Sequence, residues 1–244
     1  MITKSQVKHI QALAEKKSRL ESGEFVVEGE KLIEEVLQSG TPVHSLFAQA
    51  EWIAQHKNNP KLQAIPLYEV NEIEMSRISF LKTPSPVLAL LPLPKPEIIN
   101  TPKFALLVDT LQDPGNVGTI LRIADWFGIE HVYLFGACAD PYQPKCIQSS
   151  MASFLRVQAI TINTIEAVEA LPFEHRFAAT LHGNSIDAKF VHQAGLLMIG
   201  NESKGLHPKL QALCTHAITI PRVGQAESLN AAVATGILCH AWIC

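Results

Sequence analysis

The chain has 244 residues, of which 47% are hydrophobic and 18% are charged, and its formal net charge at pH 7 is −3. This composition excludes a disordered chain and gives one or two domains enough apolar material for a sizeable core. No apolar run reaches the ~18 residues of a membrane span, and the first residues lack the apolar centre of a signal peptide. We therefore expect a cytoplasmic protein without a membrane partner.

Cysteine and histidine usage gives no sign of a metal centre or a disulfide framework. The five cysteines are odd in number and none belongs to a CxxC pair. The ten histidines show no HExxH or comparable ligand spacing. These patterns predict neither structural zinc nor disulfide bonds.

The first elements along the chain predict a small α/β domain. We expect a helix at residues 5–15, a strand and turn at 24–29 and an amphipathic helix at 31–38, followed by short elements at 43–48, 51–56 and 65–67. The segment 4–19 is locally basic, because its five cations outnumber the single anion Glu15 and give +4. Such a patch is able to meet RNA phosphate, although a solvated helix face explains it equally well. The cations are Lys4, Lys8, Lys16, Lys17 and Arg19.

A proline-rich stretch divides the chain. Six prolines fall between residues 84 and 102, and regular structure is not expected to run through them. This predicts the end of a first domain at residues 1–97 and a linker to a second domain at residues 98–244. In the second part, apolar runs at 104–108, 131–135, 176–181, 196–199 and 217–220 alternate with helical patterns. Such alternation predicts an α/β domain with a mostly parallel sheet covered on both faces.

The first of three glycine-bearing loops, residues 113–118, follows the strand predicted at 104–108. Asn116 stands where a helix N-cap is expected, ahead of a helix at 117–127. Arg122 lies roughly 150° from the centre of that helix's apolar stripe and therefore points away from its own core. Trp126 lies near the same side, which favours a partner subunit. The alternative is that Asn116 only caps the helix and Arg122 is only a surface cation.

The second and third loops follow the last two predicted strands. Glu202 lies close to a predicted helix start in the loop 200–205, and Ser228 and Asn230 stand at the mouth of a helix at 229–242. We expect that helix to bury Leu229, Ala232, Val233, Gly236, Ile237 and His240. Capping explains each loop singly, but three of them in one α/β stretch predict a composite ligand site at the carboxyl ends of the strands. No G-x-S-x-G, G-x-G-x-x-G or P-loop pattern occurs, which disfavours a serine hydrolase and a nucleotide-dependent oxidoreductase.

Taken in order, the three motifs resemble those of the SpoU (TrmH) branch of the SPOUT RNA methyltransferases. These enzymes transfer a methyl group from S-adenosylmethionine to a ribose 2′-hydroxyl of rRNA or tRNA. The first motif is carried by Asn116 and Arg122, six residues apart. The second is Gly200-Asn201-Glu202-Ser203-Lys204-Gly205-Leu206, and the third combines Ile220-Pro221 with Glu227-Ser228-Leu229-Asn230. The resemblance covers about residues 100–244, and residues 1–97 resemble, more weakly, the L30e-like RNA substrate-binding domain common in this branch.

The resemblance implies a SPOUT-type parallel sheet with a C-terminal trefoil knot, a rare exception to unknotted connections, and a homodimer. It implies methylation of structured RNA, with rRNA favoured over tRNA. An inactive RNA-binding protein on the same fold is the alternative from another functional class. Arg122 would act as a phosphate clamp or as a base. The implied catalytic residues are Asn116, Arg122, Glu202, Ser228 and Asn230, and the implied S-adenosylmethionine contacts are Leu181, Gly200, Ile220 and Leu229. His182 stands where the family commonly has Asp.

Overall fold

The computed structural model describes residues 2–95, 102–185, 191–201 and 203–244. The chain forms two compact units. One combines Met1–Lys95 with Tyr142–Leu155, and the other combines Pro96–Pro141 with Arg156–Cys244. The second segment of the first unit therefore lies in the part of the sequence that we assigned to the second domain.

The strands of the two units are numbered here in chain order. They are β1 (Glu24–Glu28), β2 (Ser45–Ala48), β3 (Leu67–Glu69), β4 (Val87–Pro92), β5 (Phe104–Asp109), β6 (His131–Phe135), β7 (Gln158–Ile162), β8 (Arg176–Asn184), β9 (Gly195–Ile199) and β10 (His216–Ile218). The α-helices are α1 (Lys4–Ala12), α2 (Lys16–Ser22), α3 (Glu30–Ser39), α4 (Ala50–His56), α5 (Glu72–Ile78), α6 (Pro114–Trp126), α7 (Pro144–Ser150), α8 (Ile165–Glu169), α9 (Pro208–Ala212) and α10 (Ala231–Ile243). Short 3₁₀ turns lie at Pro60–Ala64 and Ser153–Leu155.

The first unit is built on a mixed sheet of four strands in the order β1-β4-β2-β3. Strand β4 is antiparallel to both β1 and β2, and β3 is parallel to β2. The expectation that no regular structure runs through residues 84–102 is therefore wrong in the first half of that stretch, because β4 is a buried inner strand. Prolines are tolerated there since Pro86 precedes the strand and Pro92 is its last residue. Residues 96–101 lie outside the described part of the chain.

Two apolar layers cover this sheet. On one face Val26, Phe47 and Leu88 pack with Ile10 of α1 and Met75 of α5. On the other face, residues of α3 and α4 share a core with residues from the later segment, including Ile147 and Ala152. The rings of Tyr142 and Phe154 lie 5.1 Å and 5.7 Å from that of Phe25. Residues 142–155 thus complete the core of the first unit.

The second unit is built on six strands in the order β10-β8-β9-β5-β6-β7, and every neighbouring pair is parallel. The predicted parallel α/β fold is confirmed, and all five predicted strands are present. The sixth, β7, is an edge strand with only two fully buried positions, so it lacks the continuous apolar run of a central parallel strand. The trefoil knot stays a prediction. None of the helices in the described ranges has the length and hydropathy of a membrane span.

Candidate active site

The first motif lies at the start of α6, after the carboxyl end of β5. Asp113 is the N-cap, and its Oδ1 accepts a hydrogen bond from the backbone N–H of Asn116 at 3.0 Å. The prediction that Asn116 is the cap is therefore wrong, because an Asp followed by Pro114 in the first helical position supplies a stronger start signal. With capping done by Asp113, the Asn116 side chain is directed to another partner.

That partner is the third motif. Asn230 Nδ2 donates to Asn116 Oδ1 at 3.0 Å across 114 positions of sequence. Asn230 is also the N-cap of α10, where its Oδ1 accepts from the N–H groups of Ala232 and Val233 at 3.0 Å and 3.3 Å. One side chain thus starts α10 and joins it to α6. Ser228, which was the other candidate for this cap, does not cap the helix and is exposed in the preceding loop.

The outer side of α6 is exposed, as the sequence predicts. Arg122 is exposed, and the Trp126 side chain is 84% exposed. Between them Asp125 forms an ion pair with Arg156, whose Nη2 lies 2.8 Å from Asp125 Oδ2. A guanidinium group and an indole are therefore presented outward on one short helix.

The prediction for the buried face of α10 is wrong at most positions. Leu229, Val233 and Ile237 are 44%, 51% and 42% exposed, and His240 is exposed. Gly236 is half-buried, and only Ala232 of the predicted set is buried. The helix instead buries Ala231, Ala232, Thr235, Leu238, Cys239 and Trp242. Periodicity could not select the face because this helix is apolar on nearly all sides.

The second motif forms a tight turn directly after β9. The backbone groups of Asn201 and Gly205 exchange two hydrogen bonds of 3.1 Å and 2.8 Å, and Gly205 has a φ of +68°. A Cβ on Gly200 would lie 2.2 Å from Gly205 C and 2.3 Å from Leu206 N. Only glycine therefore fits at position 200. Glu202, the acidic residue of this motif, lies outside the described residues.

A buried carboxylate that the sequence analysis missed fixes this turn to β5. Asp109 is 3% exposed; its Oδ2 accepts from the N–H of His207 at 2.6 Å, and its Oδ1 accepts from Thr110 Oγ1 at 2.7 Å. Asn201 Nδ2 donates to the Thr110 carbonyl at 3.0 Å. Thr110 has a φ of +53°, a conformation unusual for a non-glycine residue. The sequence signal that could have identified Asp109 is its position as an acidic residue at the end of an apolar strand.

A neutral thiol lies beside the same strand end. Cys138 Sγ donates to the Phe135 carbonyl at 3.2 Å and accepts from the Leu111 N–H at 3.3 Å. Burial raises the pKa of the Cys138 thiol, which disfavours the thiolate. Cys138 therefore contributes packing and weak hydrogen bonds rather than a nucleophile.

The remaining predicted cofactor residues lie on β8 and around the third loop. Leu181 is 62% exposed on β8, where the pairing register with β10 shifts between Ala217 and Ile218. A Cβ on Gly183 would lie 2.7 Å from backbone atoms of both these β10 residues, so the two strands approach closely. Ile220 is half-buried after β10, and residues 221–230 are all exposed.

The basic segment of the first unit divides into two groups. Lys4, Lys8, Lys16 and Lys17 are exposed. Arg19 is 2% exposed, and its Nη1 donates to the carbonyls of Leu13 and Ala14 at 2.7 Å and 2.8 Å. Its guanidinium therefore holds the turn between α1 and α2, and we withdraw Arg19 from the predicted RNA-binding set.

Comparison with known proteins identifies this arrangement. Residues 103–240 match the model of the SpoU rRNA Methylase family. The chain belongs to this family. Residues 4–89 match the MRM3-like substrate binding domain. The SpoU family was predicted from the three loops, and that prediction is confirmed.

Similar proteins match the SpoU chain over nearly its full length. The 23S rRNA (guanosine(2553)-2′-O)-methyltransferase RlmP of Bacillus subtilis (strain 168) is 30% identical over 240 residues, covering 96% of this chain and 94% of the relative. The 23S rRNA (uridine(2479)-2′-O)-methyltransferase of Streptomyces viridochromogenes is 30% identical over 249 residues, covering 94% and 86%. A crystal structure of an AdoMet-bound rRNA methyltransferase from Sinorhizobium meliloti has a TM-score of 0.85 at 28% identity and covers 99% of this chain and 95% of that one.

Proposed function

We propose that this protein methylates ribose 2′-hydroxyls of rRNA through the site formed by its three motifs. The enzyme is an RNA ribose 2′-O-methyltransferase that uses S-adenosylmethionine, so the predicted reaction class and cofactor are confirmed. The observation that carries the site assignment is the 3.0 Å hydrogen bond between Asn230 and Asn116, which unites the first and third motifs. One relative is named for a guanosine and another for a uridine, so we assign no base to the target nucleotide.

The cofactor residues fit S-adenosylmethionine in their chemistry. The glycine at position 200 lets the backbone after β9 close against Gly205 and Leu206, which fixes the turn whose backbone would hold the cofactor. Leu181 and Leu229 expose apolar side chains suited to an adenosyl group, and Ile220 is half-buried beside the third loop. When bound, the cofactor supplies a methyl group on a positively charged sulfur, which is an electrophile for a hydroxyl oxygen.

The chain's own contribution is to hold the RNA ribose in line with that electrophile. Alignment of two reactants can supply about 7–11 kcal/mol of a barrier. Arg122 would grip an RNA phosphate through two parallel hydrogen bonds, which a guanidinium does better than an ammonium. The bonded pair Asn116 and Asn230 and the exposed hydroxyl of Ser228 would orient the ribose. The role of Glu202 in the same group stays as the sequence predicts it.

A homodimer is part of the proposal. Trp126 on α6 and Val233 and Ile237 on α10 expose apolar side chains, and these two helices pack together. Single exposed apolar residues are ordinary, but a set on adjoining helices is typical of a protein interface. A second copy of the chain is the occupant we propose. A cytoplasmic location, expected from the sequence, belongs to the same proposal.

The experiment is methyl transfer from tritiated S-adenosylmethionine to unmodified RNA. Purified protein is incubated separately with total rRNA and total tRNA, and the labelled RNA is hydrolysed in alkali, which cannot cleave after a 2′-O-methylated ribose. We expect label in alkali-resistant dinucleotides from rRNA. Label in tRNA alone would contradict the substrate proposal. RNA binding without any transfer would favour the inactive RNA-binding alternative.

A further inference from the structure

The first unit contains a cavity that the methyltransferase site does not use. It has a volume of about 250 Å³ and brings together one strand, one loop and one helix. The lining residues are Val26 and Glu28 of β1, Phe80, Leu81 and Lys82 of the loop after α5, and Pro144, Lys145 and Gln148 of α7.

A buried carboxylate fixes the shape of this cavity. Glu28 is 3% exposed; its Oε1 accepts from Ser79 Oγ at 2.5 Å and from the Ser85 N–H at 3.2 Å, and its Oε2 accepts from the Phe80 N–H at 2.9 Å. Both oxygens of Glu28 are thus bonded to donors of the loop 79–85. This loop is held in one conformation, and the negative charge is matched by loop donors.

The helix side of the cavity is fixed in the same way. Gln148 Nε2 donates to the Glu28 carbonyl at 2.5 Å, which ties α7 to the end of β1. Residues 142–155 also contribute Ile147 and Ala152 to the core of the first unit. The cavity is therefore a preorganised feature of the fold, and preorganisation lowers the cost of binding a ligand.

The lining combines an apolar wall with a cationic rim. Val26, Phe80, Leu81 and Pro144 supply the wall, and Lys82 and Lys145 are exposed. Aromatic and apolar surface accepts a nucleobase by stacking, and lysine ammonium groups bind phosphate. The volume lies below the roughly 300–1,000 Å³ of sites for drug-sized ligands, so the cavity suits one nucleotide.

We propose that this cavity binds a single unstacked nucleotide of the RNA substrate, with its base against Phe80 and its phosphates at Lys82 and Lys145. Unpaired bases in loops and bulges are the usual targets of RNA recognition by protein pockets. The inference rests on the proposed function, because it takes the ligand from the RNA to be methylated. It assigns to α7 and the loop 79–85 a part in substrate selection.

The test compares two double variants of the full-length enzyme. Lys82→Ala/Lys145→Ala removes the rim charges, and Lys57→Ala/Lys95→Ala removes two exposed charges of the same unit that do not line the cavity. For the cavity variant we expect the KM for rRNA to rise at least tenfold with kcat and S-adenosylmethionine affinity unchanged. The slope of log affinity against log salt should fall by about 1 for each lysine. The control should stay within twofold of wild type.

Three other outcomes of this comparison would overturn the inference. An active wild type whose cavity variant keeps its KM would overturn the inference and leave the proposed function intact. An equal rise in the control variant would also overturn it, because the effect would then be one of general charge. AMP binding that is lost in the cavity variant, with no change in the KM for rRNA, would assign the cavity to a free nucleotide instead of RNA.

A direct contact assay separates this inference from the enzymatic activity. Photo-crosslinking of rRNA fragments carrying photoreactive thio-analogues of all four bases in turn, read by mass spectrometry, should place a crosslink in residues 80–82 or 144–148 for at least one of them. Absence of crosslinks there, with crosslinks elsewhere in the first unit, would overturn the inference. Because crosslinking needs no methyl transfer, it tests the cavity even if the wild type is inactive on rRNA.

Discussion

The substitution Gly200→Ala tests the close packing of the second motif. The added Cβ would lie 2.2 Å from Gly205 C, 2.3 Å from Leu206 N and 2.6 Å from Gly205 O. Ordinary contacts of a Cβ are longer by about 1 Å, and all three neighbours are backbone atoms that cannot rotate away. The clash must therefore displace the segment that carries the 3.1 Å and 2.8 Å hydrogen bonds between Asn201 and Gly205.

We expect Gly200→Ala to lower the free energy of unfolding by about 1–3 kcal/mol, the usual cost of overpacking. The Kd for S-adenosylmethionine should rise at least tenfold, which corresponds to about 1.4 kcal/mol of lost binding free energy. Calorimetry measures the Kd, and urea denaturation measures the stability. RNA affinity should persist, because the first unit is unchanged.

The matched control is Gly224→Ala in the third loop. A Cβ there meets no atom within 4 Å, and Gly224 does not have a positive φ. Its stability should change by no more than about 0.5 kcal/mol. If Gly200→Ala bound the cofactor as tightly as wild type and was equally stable, the account of the second motif would be refuted.

Substitutions at three further residues separate the proposed roles. Arg122→Ala should remove most methyl transfer at little cost in stability, because Arg122 is exposed. Arg122→Lys should retain only part of the methyl transfer of the wild type. Near wild-type turnover in a folded Arg122→Ala protein would exclude the phosphate-clamp role. Trp126→Glu should convert a dimer to monomers in light scattering, since an unpaired charge is costly in a buried contact; a monomeric wild type at micromolar concentration would contradict the homodimer. Asn230→Asp keeps an acceptor for the α10 cap but has no amide to donate to Asn116, so its thermal stability should be retained while methyl transfer falls. Asn230→Ala should lose methyl transfer and also about 0.5–2 kcal/mol of stability, because it removes the cap. Full activity of a stable Asn230→Asp protein would show that the Asn230 amide is dispensable.

The sheet of the second unit was predictable because its inner strands are buried on both faces. Strands β5 and β9 therefore appear in the sequence as continuous apolar runs followed by glycine-bearing loops. The pairing of Asn116 with Asn230 was not derivable from periodicity or spacing, since 114 positions separate the two residues. Only the resemblance to a family placed them together.

The predictions that the structure corrected failed for physical reasons that sequence patterns do not contain. Arg19 looks like its lysine neighbours in sequence, but it is buried and its Nη1 donates to two backbone carbonyls that are close only in the folded turn. Residues 142–155 are distant in sequence from the core that they complete, so their place depends on long-range packing around Phe25. The face of α10 was ambiguous because apolar residues surround the whole helix.

The most direct test of the central claim is a map of 2′-O-methyl groups in rRNA from a strain that lacks this protein. The account predicts that a ribose methylated in the parent is unmethylated in the deletion strain. Purified wild-type protein with S-adenosylmethionine should restore that methyl group in vitro, and Arg122→Ala should not. An unchanged rRNA map, together with no transfer by the purified protein to the deletion-strain rRNA, would contradict the claim that this chain methylates rRNA.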